Sequence, residues 1–285
     1  MKVLGLIGYP LGHSISPVIF NTCFKKLGMD YIYLPFQVPP VKLRAAIKGL
    51  DVLGMVGVNV TIPHKASAVR WLDEGDENVM ITGSVNTIKF VDGRVFGYNT
   101  DVGGFLKSWE EETREKLKGK TAAIIGAGGA ARSVAYALLK QKVAGLHFFV
   151  RKTPRANELI KQLSPGFPQT GFHSHRIEDE KTWNNLAPEL DVIINATPVG
   201  MYPDIDSCPV KLPDNMKPGW IAYDLVYNPL RTKFLDEAQA RKARVFGGLS
   251  MLIHQAALAY EIWFEQPAPI PLMKWAAWNV MKGKK

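Results

Sequence analysis

The sequence contains little cysteine and no long apolar run. Its 285 residues include two cysteines, Cys23 and Cys208, which lie far apart and in no C-x-x-C pattern. This spacing argues against a disulfide framework and against a structural zinc site. No apolar run approaches the roughly 20 residues that cross a bilayer. The first residues lack the apolar core and cleavage site of a signal peptide, so we expect a cytoplasmic protein without membrane partners.

The charge is strongly positive but dispersed. A formal net charge of +9 is compatible with binding to nucleic acid or membranes. Apart from residues 282, 284 and 285, however, the basic residues are spread along the chain and mix with acidic ones, as in EEETREKLKGK. This mixture is typical of an ordinary solvated surface. We therefore expect no nucleic-acid partner, and a small-molecule substrate is compatible with such a surface. The sequence does not reveal the oligomeric state and leaves a monomer or a homodimer open.

Apolar segments and turn signals predict an α/β fold with two regions. Up to Asp101, predicted strands at 2–8, 31–38 and 56–62 mix with helices, and Asp92-Gly93 indicates a hairpin. After Asp101 and a helix over 102–116, short apolar strands alternate with helices, which is typical of a parallel sheet. These strands are predicted at 121–126, 146–150, 191–197 and 219–225. A final amphipathic helix over 249–264 follows Gly247-Gly248, which we interpret as a hinge or crossing point.

A glycine-rich turn follows the first strand of the second region. Residues 126–131, GAGGAA, fit G-x-G-x-x-A between a predicted strand and a predicted helix. Gly126 would permit the tight turn, Gly128 would let a pyrophosphate approach the backbone, and Ala131 would let the helix pack closely. The helix start would bind the phosphates through backbone N–H groups. The predicted cofactor contacts here are Gly126, Ala127, Gly128, Gly129 and Ala130.

The end of the next strand indicates which dinucleotide binds. NAD enzymes usually carry a carboxylate at this position for the ribose hydroxyls. Here the strand is followed by Arg151, Lys152 and Arg155, with no carboxylate before Glu158. Arginine can bind a 2′-phosphate in a bidentate, charge-assisted manner. The alternative is that these residues only lie on a solvated loop, but their position favours NADP.

Short polar clusters end strands or occupy turns in the first region, where binding residues tend to lie. Their hydroxyls, amides, one lysine and one aspartate would suit a polyhydroxylated acid. The clusters are Ser14-Ile15-Ser16-Pro17, NVTIPHK at 59–65, GSVNT at 83–87 and GYNTD at 97–101.

These motifs, in this order, resemble those of the shikimate dehydrogenase family, including its quinate-active relatives. S-x-S-P, N-V-T-x-P-x-K, V-N-T and N-T-D precede the G-A-G-G-A turn. NATPVGM at 195–201, DLVYNP at 224–229 and GLSMLIHQ at 248–255 follow it. One departure concerns the cofactor: many NADP-dependent relatives have Asn-Arg-Thr after the second strand, where this chain has Val150-Arg151-Lys152. The arginine is kept, and relaxed cofactor choice becomes an alternative.

The resemblance implies an architecture and an activity. A substrate-binding α/β domain with a mixed sheet would comprise residues 1–101, completed by 248–285. A Rossmann-type NADP domain would be inserted at 102–247, with the active site in a cleft between domains. The implied reaction is the NADP-dependent interconversion of 3-dehydroshikimate and shikimate, within aromatic amino-acid biosynthesis.

The resemblance also implies roles for individual residues. Lys65 and Asp101 would form the catalytic dyad, although residue type alone would suggest a surface lysine and a helix N-cap. Ser14 and Ser16 would bind the substrate carboxylate, and Thr61, Asn86 and Gln255 its hydroxyls. Tyr227 would approach the substrate from the cofactor side. The remaining cofactor contacts would be Thr197, Pro198, Met201 and Gly248.

Several alternatives remain open at this stage. A quinate/shikimate enzyme with broader specificity is one, and Ser16 mildly favours shikimate. A non-catalytic ligand-binding paralogue is another, which the intact Lys65 and Asp101 disfavour. A folate-linked dehydrogenase of similar plan is disfavoured by the S-x-S-P and N-T-D clusters. His173-x-His175, which we expect in a polar loop, lacks the neighbouring ligands of a metal site, so we predict no metal requirement.

Overall fold

The computed structural model describes residues 1–12 and 14–283, which divide into two compact units. The first unit comprises residues 1–105 together with those from 252 onward, and the second comprises 106–251. Both units are of α/β type, which confirms the predicted fold class. Among the described residues, no helix has the length and apolar character to span a bilayer.

The first unit is built on a six-stranded mixed sheet. Its strands are β1 (Lys2–Gly8), β2 (Tyr31–Gln37), β3 (Gly57–Val60), β4 (Glu74–Gly75), β5 (Thr87–Val91) and β6 (Arg94–Tyr98). Its N-terminal helices are α1 (Ser16–Lys26), α2 (Leu43–Val52) and α3 (Glu77–Thr82), and α4 (Thr100–Thr113) begins here. The strand order is β2-β1-β3-β5-β6-β4, and the two pairings of β5 are antiparallel.

The predicted hairpin is the β5–β6 pair. Asp92 and Gly93 both have positive φ, 49° and 74°, as a two-residue turn of the I′ class requires. The apolar alternation of β5 places Ile88 in a core shared with Ile7, Val58 and Val60. This packing fixes the end of β3, the start of β5 and the end of β6, where three of the polar clusters lie.

The second unit contains a six-stranded, wholly parallel sheet in the order β12-β11-β10-β7-β8-β9. Its strands are β7 (Thr121–Ile125), β8 (Gly145–Val150), β9 (Gly171–Arg176), β10 (Val192–Asn195), β11 (Ile221–Asp224) and β12 (Arg244–Phe246). Its helices are α5 (Gly129–Lys140), α6 (Thr153–Leu163), α7 (Glu180–Leu186) and α8 (Lys233–Ala240). The strand order reverses between β7 and β10, the point at which doubly wound sheets bind nucleotides.

Two helices complete the first unit after this insertion. They are α9 (Leu249–Phe264), which begins at the end of the second unit, and α10 (Ile270–Lys282). Trp263 of α9 donates from Nε1 to the Ile88 carbonyl at 3.0 Å, which ties the helix to β5. The close approach of Gly57, whose added Cβ would lie 2.3 Å from that nitrogen, explains why β3 begins with glycine.

One predicted helix and one predicted loop differ from the structure for identifiable reasons. The helix predicted over 102–116 begins at Thr100, because the Thr100 N–H donates to Asn86 Oδ1 at 2.8 Å. It ends at Thr113, where Arg114 adopts a φ of 57° and the Glu115 N–H bonds Thr113 Oγ1. His173 and His175 lie in strand β9 rather than in a loop, since β9 pairs with β8 at the sheet edge and keeps polar side chains there.

Three stacked histidines cover the β8–β9 edge. His147 Nδ1 lies 3.0 Å from His175 Nε2, and the His147 ring stacks on that of His173 with centroids 4.7 Å apart. Burial, and secondarily the neighbouring His173 and His175, lower the pKa of His147 to about 4. The pKa of His175 is lowered as well, chiefly by burial.

This cluster makes the second unit sensitive to acid. An unfolded histidine titrates near 6.5, so between pH 6.5 and 4 the unfolded chain binds a proton that folded His147 does not. Stability therefore falls as the pH is lowered through this window, by about 2 kcal/mol at pH 5. We expect the His147→Phe variant to lose about 2 kcal/mol less than the wild type between pH 7.5 and 5. Urea unfolding at both pH values measures this, and equal losses would contradict it.

Candidate active site

Lys65 and Asp101 form an ion pair within the first unit. Lys65 Nζ lies 2.6 Å from Asp101 Oδ2, and the two side chains are 16% and 5% exposed. The lysine follows the turn after β3, and the Val85 N–H fixes its backbone by donating to the Lys65 carbonyl at 2.9 Å. The aspartate lies in the first turn of α4. Because water reaches this pair poorly, the attraction is stronger than between surface charges.

Asn86 organises the groups around this pair. Its Nδ2 lies 2.9 Å from Asp101 Oδ1, 2.9 Å from Thr100 Oγ1 and 3.3 Å from Gln255 Oε1. Its Oδ1 accepts the Thr100 N–H, so one amide both starts α4 and orients the Asp101 carboxylate. The structure thus brings Lys65, Asp101, Asn86 and Gln255 into one connected cluster.

The remaining residues predicted to bind substrate occupy separate elements. Ser16 is the buried first residue of α1, and its N–H donates to Ser14 Oγ at 3.3 Å. The partly buried Thr61 follows β3, and its N–H donates to the Ile7 carbonyl at the end of β1. These residues therefore lie at or beyond the carboxyl ends of β1 and β3. Tyr227, partly buried, belongs to the second unit.

The glycine-rich turn of the second unit has room for a phosphate. Gly126 has a φ of 109°, which favours glycine, and a Cβ added there would lie 3.0 Å from Thr197 Cγ2. At Gly128 an added Cβ would meet nothing within 4 Å, so the backbone is accessible. Gly128 is the N-cap of α5, and no side chain caps this helix. An uncapped helix start beside open space fits a pyrophosphate.

The other residues predicted to bind cofactor follow neighbouring strands of the same sheet. Arg151, Lys152 and Arg155 are exposed after β8, where Lys152 is the N-cap residue of α6. Thr197, Pro198 and Met201 follow β10, with only Pro198 exposed. Gly248 is buried, and its N–H donates to the Val226 carbonyl at 3.1 Å. Within the described part of the chain, no group of three or more histidine, cysteine, aspartate or glutamate residues could hold a metal ion.

Family models match most of the chain. Residues 6–88 match the shikimate dehydrogenase substrate binding domain, 109–201 match shikimate / quinate 5-dehydrogenase, and 248–277 match the shikimate 5′-dehydrogenase C-terminal domain. A shikimate dehydrogenase (NADP(+)) of Geobacillus kaustophilus is 43% identical over 273 residues, which cover 96% of each chain. The chain belongs to the shikimate dehydrogenase family.

Solved structures of this family superpose over nearly the full length. A shikimate dehydrogenase crystallised in complex with NADP⁺ is 40% identical, with a TM-score of 0.86 and coverage of 99% of this chain and 96% of the other. The shikimate 5-dehydrogenase of Thermus thermophilus, in complex with NADP(H) and shikimate, is 33% identical, with a TM-score of 0.83. That match covers 98% of this chain and 99% of the other.

Three buried polar residues of this shikimate dehydrogenase family member lie in the motifs above, but the sequence analysis gave them no role. Asn59 is buried in β3, accepts from Tyr33 Oη at 2.7 Å, and donates to the Asn86 carbonyl at 3.1 Å. In the second unit, Asn195 and Asp224 are buried side by side at the ends of β10 and β11. A polar residue within an apolar strand was the available signal in each case, because such a residue needs a hydrogen-bond partner.

Proposed function

We propose that this chain catalyses the reversible, NADP-dependent reduction of 3-dehydroshikimate to shikimate. The observation that carries the proposal is the shielded Lys65–Asp101 ion pair, oriented by Asn86, in a chain of the shikimate dehydrogenase family. The relatives named as NADP(+)-dependent shikimate dehydrogenases, which align over almost the whole chain, support the same activity.

Lys65 is proposed to donate the proton of the reaction, and Asp101 to position Lys65. Bound NADPH would supply the hydride for the substrate carbonyl carbon, whose oxygen would then need a proton. The Lys65 ammonium donates a hydrogen bond to that oxygen, stabilises the developing negative charge and transfers the proton. Asp101 holds the ammonium in place through its 2.6 Å contact. It is proposed to accept a hydrogen bond from the product hydroxyl once that hydroxyl has formed. The lysine then regains a proton from solvent.

The substrate contacts follow from donor and acceptor chemistry. Ser14 and Ser16 are proposed to donate hydroxyl hydrogen bonds to the carboxylate, and Thr61, Asn86 and Gln255 to bind ring hydroxyls. Gln255 Nε2 donates to the Leu252 carbonyl at 2.7 Å, which holds this side chain beside Asn86. Tyr227 is proposed to reach the substrate from the cofactor side.

The second unit is proposed to bind NADP. Residues 126–130 would bind the pyrophosphate through their backbone, and the cations of Arg151, Lys152 and Arg155 would bind the 2′-phosphate. Thr197, Pro198, Met201 and Gly248 would flank the nicotinamide. In domain terms, residues 1–101 with 248–285 would bind substrate, and 102–247 would bind NADP, in a cytoplasmic monomer or homodimer.

A two-by-two assay tests the proposal. Initial rates are measured for shikimate and quinate, each with NADP and with NAD. We expect kcat/KM to be highest for shikimate with NADP, and about tenfold to a hundredfold lower with NAD, because charge-assisted hydrogen bonds to the 2′-phosphate are lost. Comparable rates with quinate would favour the broader enzyme, and a preference for NAD would overturn the cofactor assignment. Absence of turnover with any pair would favour the binding paralogue.

A further inference from the structure

Asp224 is a fully buried carboxylate at the end of β11, where its three hydrogen-bond donors are neutral. Its Oδ1 accepts from Asn195 Nδ2 at 2.9 Å and from the Val226 N–H at 3.0 Å. Its Oδ2 accepts from Thr232 Oγ1 at 2.6 Å. Burial raises the pKa of Asp224 to about 6. Burying a carboxylate costs free energy. We therefore look for the role of Asp224 in the groups that its hydrogen bonds hold in place.

The contact with Asn195 continues into the loop after β10. Asn195 Oδ1 accepts from the Thr197 N–H at 3.0 Å and from Thr197 Oγ1 at 2.7 Å. Thr197 Oγ1 accepts in turn from the Val199 N–H at 3.3 Å. A carboxylate can only accept hydrogen bonds, so it forces the Asn195 NH₂ group toward Asp224 and the amide oxygen toward Thr197.

This network lies at the carboxyl ends of β10 and β11, the same end of the sheet as the glycine-rich turn after β7. Thr197 Cγ2 lies 3.0 Å from the position of a Cβ added to Gly126, so the loop packs directly on the glycine-rich turn. Val226, which donates to Asp224, precedes Tyr227 and accepts from the Gly248 N–H. One carboxylate therefore fixes the loop after β10, the segment after β11 and, through Thr232, the N-cap of α8.

We propose that Asp224 is a positioning residue for hydride transfer: through Asn195 it fixes the 195–199 loop against the glycine-rich turn, and so orients the nicotinamide end of NADP. This inference rests on the proposed function, since it assigns that loop to the nicotinamide. Asp224 should therefore have little effect on the adenosine end of NADP, which the residues after β8 are proposed to bind.

Asp191 provides a matched control at the opposite end of the same strands, just before β10 begins. Its Oδ2 accepts from the Thr121 N–H at 2.8 Å, and its Oδ1 lies 2.8 Å from Lys217 Nζ. Like Asp224, it ties a strand to a neighbouring segment, but it lies beside the start of β7 rather than beside the cofactor turn. A substitution there alters the stability of the unit without touching the 195–199 loop.

The test compares Asp224→Asn with Asp191→Asn. An amide at 224 can donate as well as accept, so the Asn195 side chain is free to turn over and release Thr197. For Asp224→Asn we expect kcat to fall about tenfold to a hundredfold and the deuterium isotope effect with 4-deuterated NADPH to rise. The Kd of 2′,5′-ADP, which reports folding and the adenosine end, should change by less than about twofold. For Asp191→Asn, kcat should stay close to wild type.

Hydrogen exchange separates this inference from the proposed function. The amides of Ala196, Thr197 and Val199 should exchange about tenfold faster in Asp224→Asn, and not in Asp191→Asn, whether or not shikimate is the substrate. If the wild type turns over no shikimate, the proposed function fails while exchange still tests the loop. Unchanged exchange, equal kcat losses in both variants, or a loss of 2′,5′-ADP affinity matching the loss in kcat would each overturn the positioning role.

Discussion

Replacing Lys65 with alanine is expected to lower kcat by about three orders of magnitude. The variant lacks the proposed proton donor and the charge proposed to stabilise the developing alkoxide, two effects that act mainly in the transition state. The KM for shikimate should change by less than about fivefold, because the substrate contacts proposed for Ser14, Ser16, Asn86 and Gln255 are kept in the variant. Steady-state kinetics with NADP and shikimate measure both constants.

Lys89 supplies the matched control for this experiment. Its Nζ lies 2.7 Å from Glu265 Oε1, and its side chain is 18% exposed, close to the 16% of Lys65. Both lysines therefore lie in short ion pairs of the first unit, but Lys89 is not in the Asp101–Asn86–Gln255 cluster. Lys89→Ala should leave kcat within about twofold of wild type. A similar kcat for Lys65→Ala and Lys89→Ala would contradict the catalytic assignment.

A second lysine variant separates charge from proton transfer. Lys65→Arg keeps a cation beside Asp101, but a guanidinium does not release its proton in proteins. We expect its kcat to lie between those of wild type and Lys65→Ala. An arginine variant with wild-type kcat would show that only the charge matters.

Replacing Gly248 with alanine is expected to destabilise the second unit by about 3 kcal/mol. An added Cβ would lie 2.2 Å from the Leu225 carbonyl oxygen and 2.5 Å from its carbon, and neither is the movable end of a side chain. Residue 248 or the end of β11 must therefore shift, which would also break the Gly248 N–H bond to Val226. Urea unfolding measures the loss, and kcat/KM for NADP should fall as well.

Gly166→Ala is the control for this substitution. Gly166 lies in the same unit, and an added Cβ would meet nothing within 4 Å. Its free energy of unfolding should change by less than about 1 kcal/mol. If Gly248→Ala is as stable as Gly166→Ala, close backbone packing does not explain the glycine at 248.

The sequence predicted the element types well and the side-chain partnerships less well. Apolar periodicity placed β7, β8, β10 and β11, since a buried parallel strand is a short apolar run. It did not find β9, because this edge strand is half exposed and its Gly171–Arg176 segment is mostly polar. Pairing with β8, a contact distant in sequence, makes that segment a strand.

In the candidate site, too, the sequence indicated individual residues better than the contacts between them. Motif order pointed to Lys65, Asp101, Asn86 and Gln255, and these four lie in one hydrogen-bonded cluster. Their roles remain predictions. The Asn195–Asp224 pair was missed because periodicity shows which face of a strand is buried, not which polar groups meet across neighbouring strands.

The link between Asn86 and Gln255 has a consequence for synthesis of the chain. These residues are 169 positions apart, and the whole second unit is encoded between them. At 5–20 residues per second, Gln255 is made roughly ten to thirty seconds after Asn86. The strands of the second unit, which end at Phe246, are all translated within this interval. On the ribosome, the cluster around Lys65 therefore cannot close until the whole second unit has been translated.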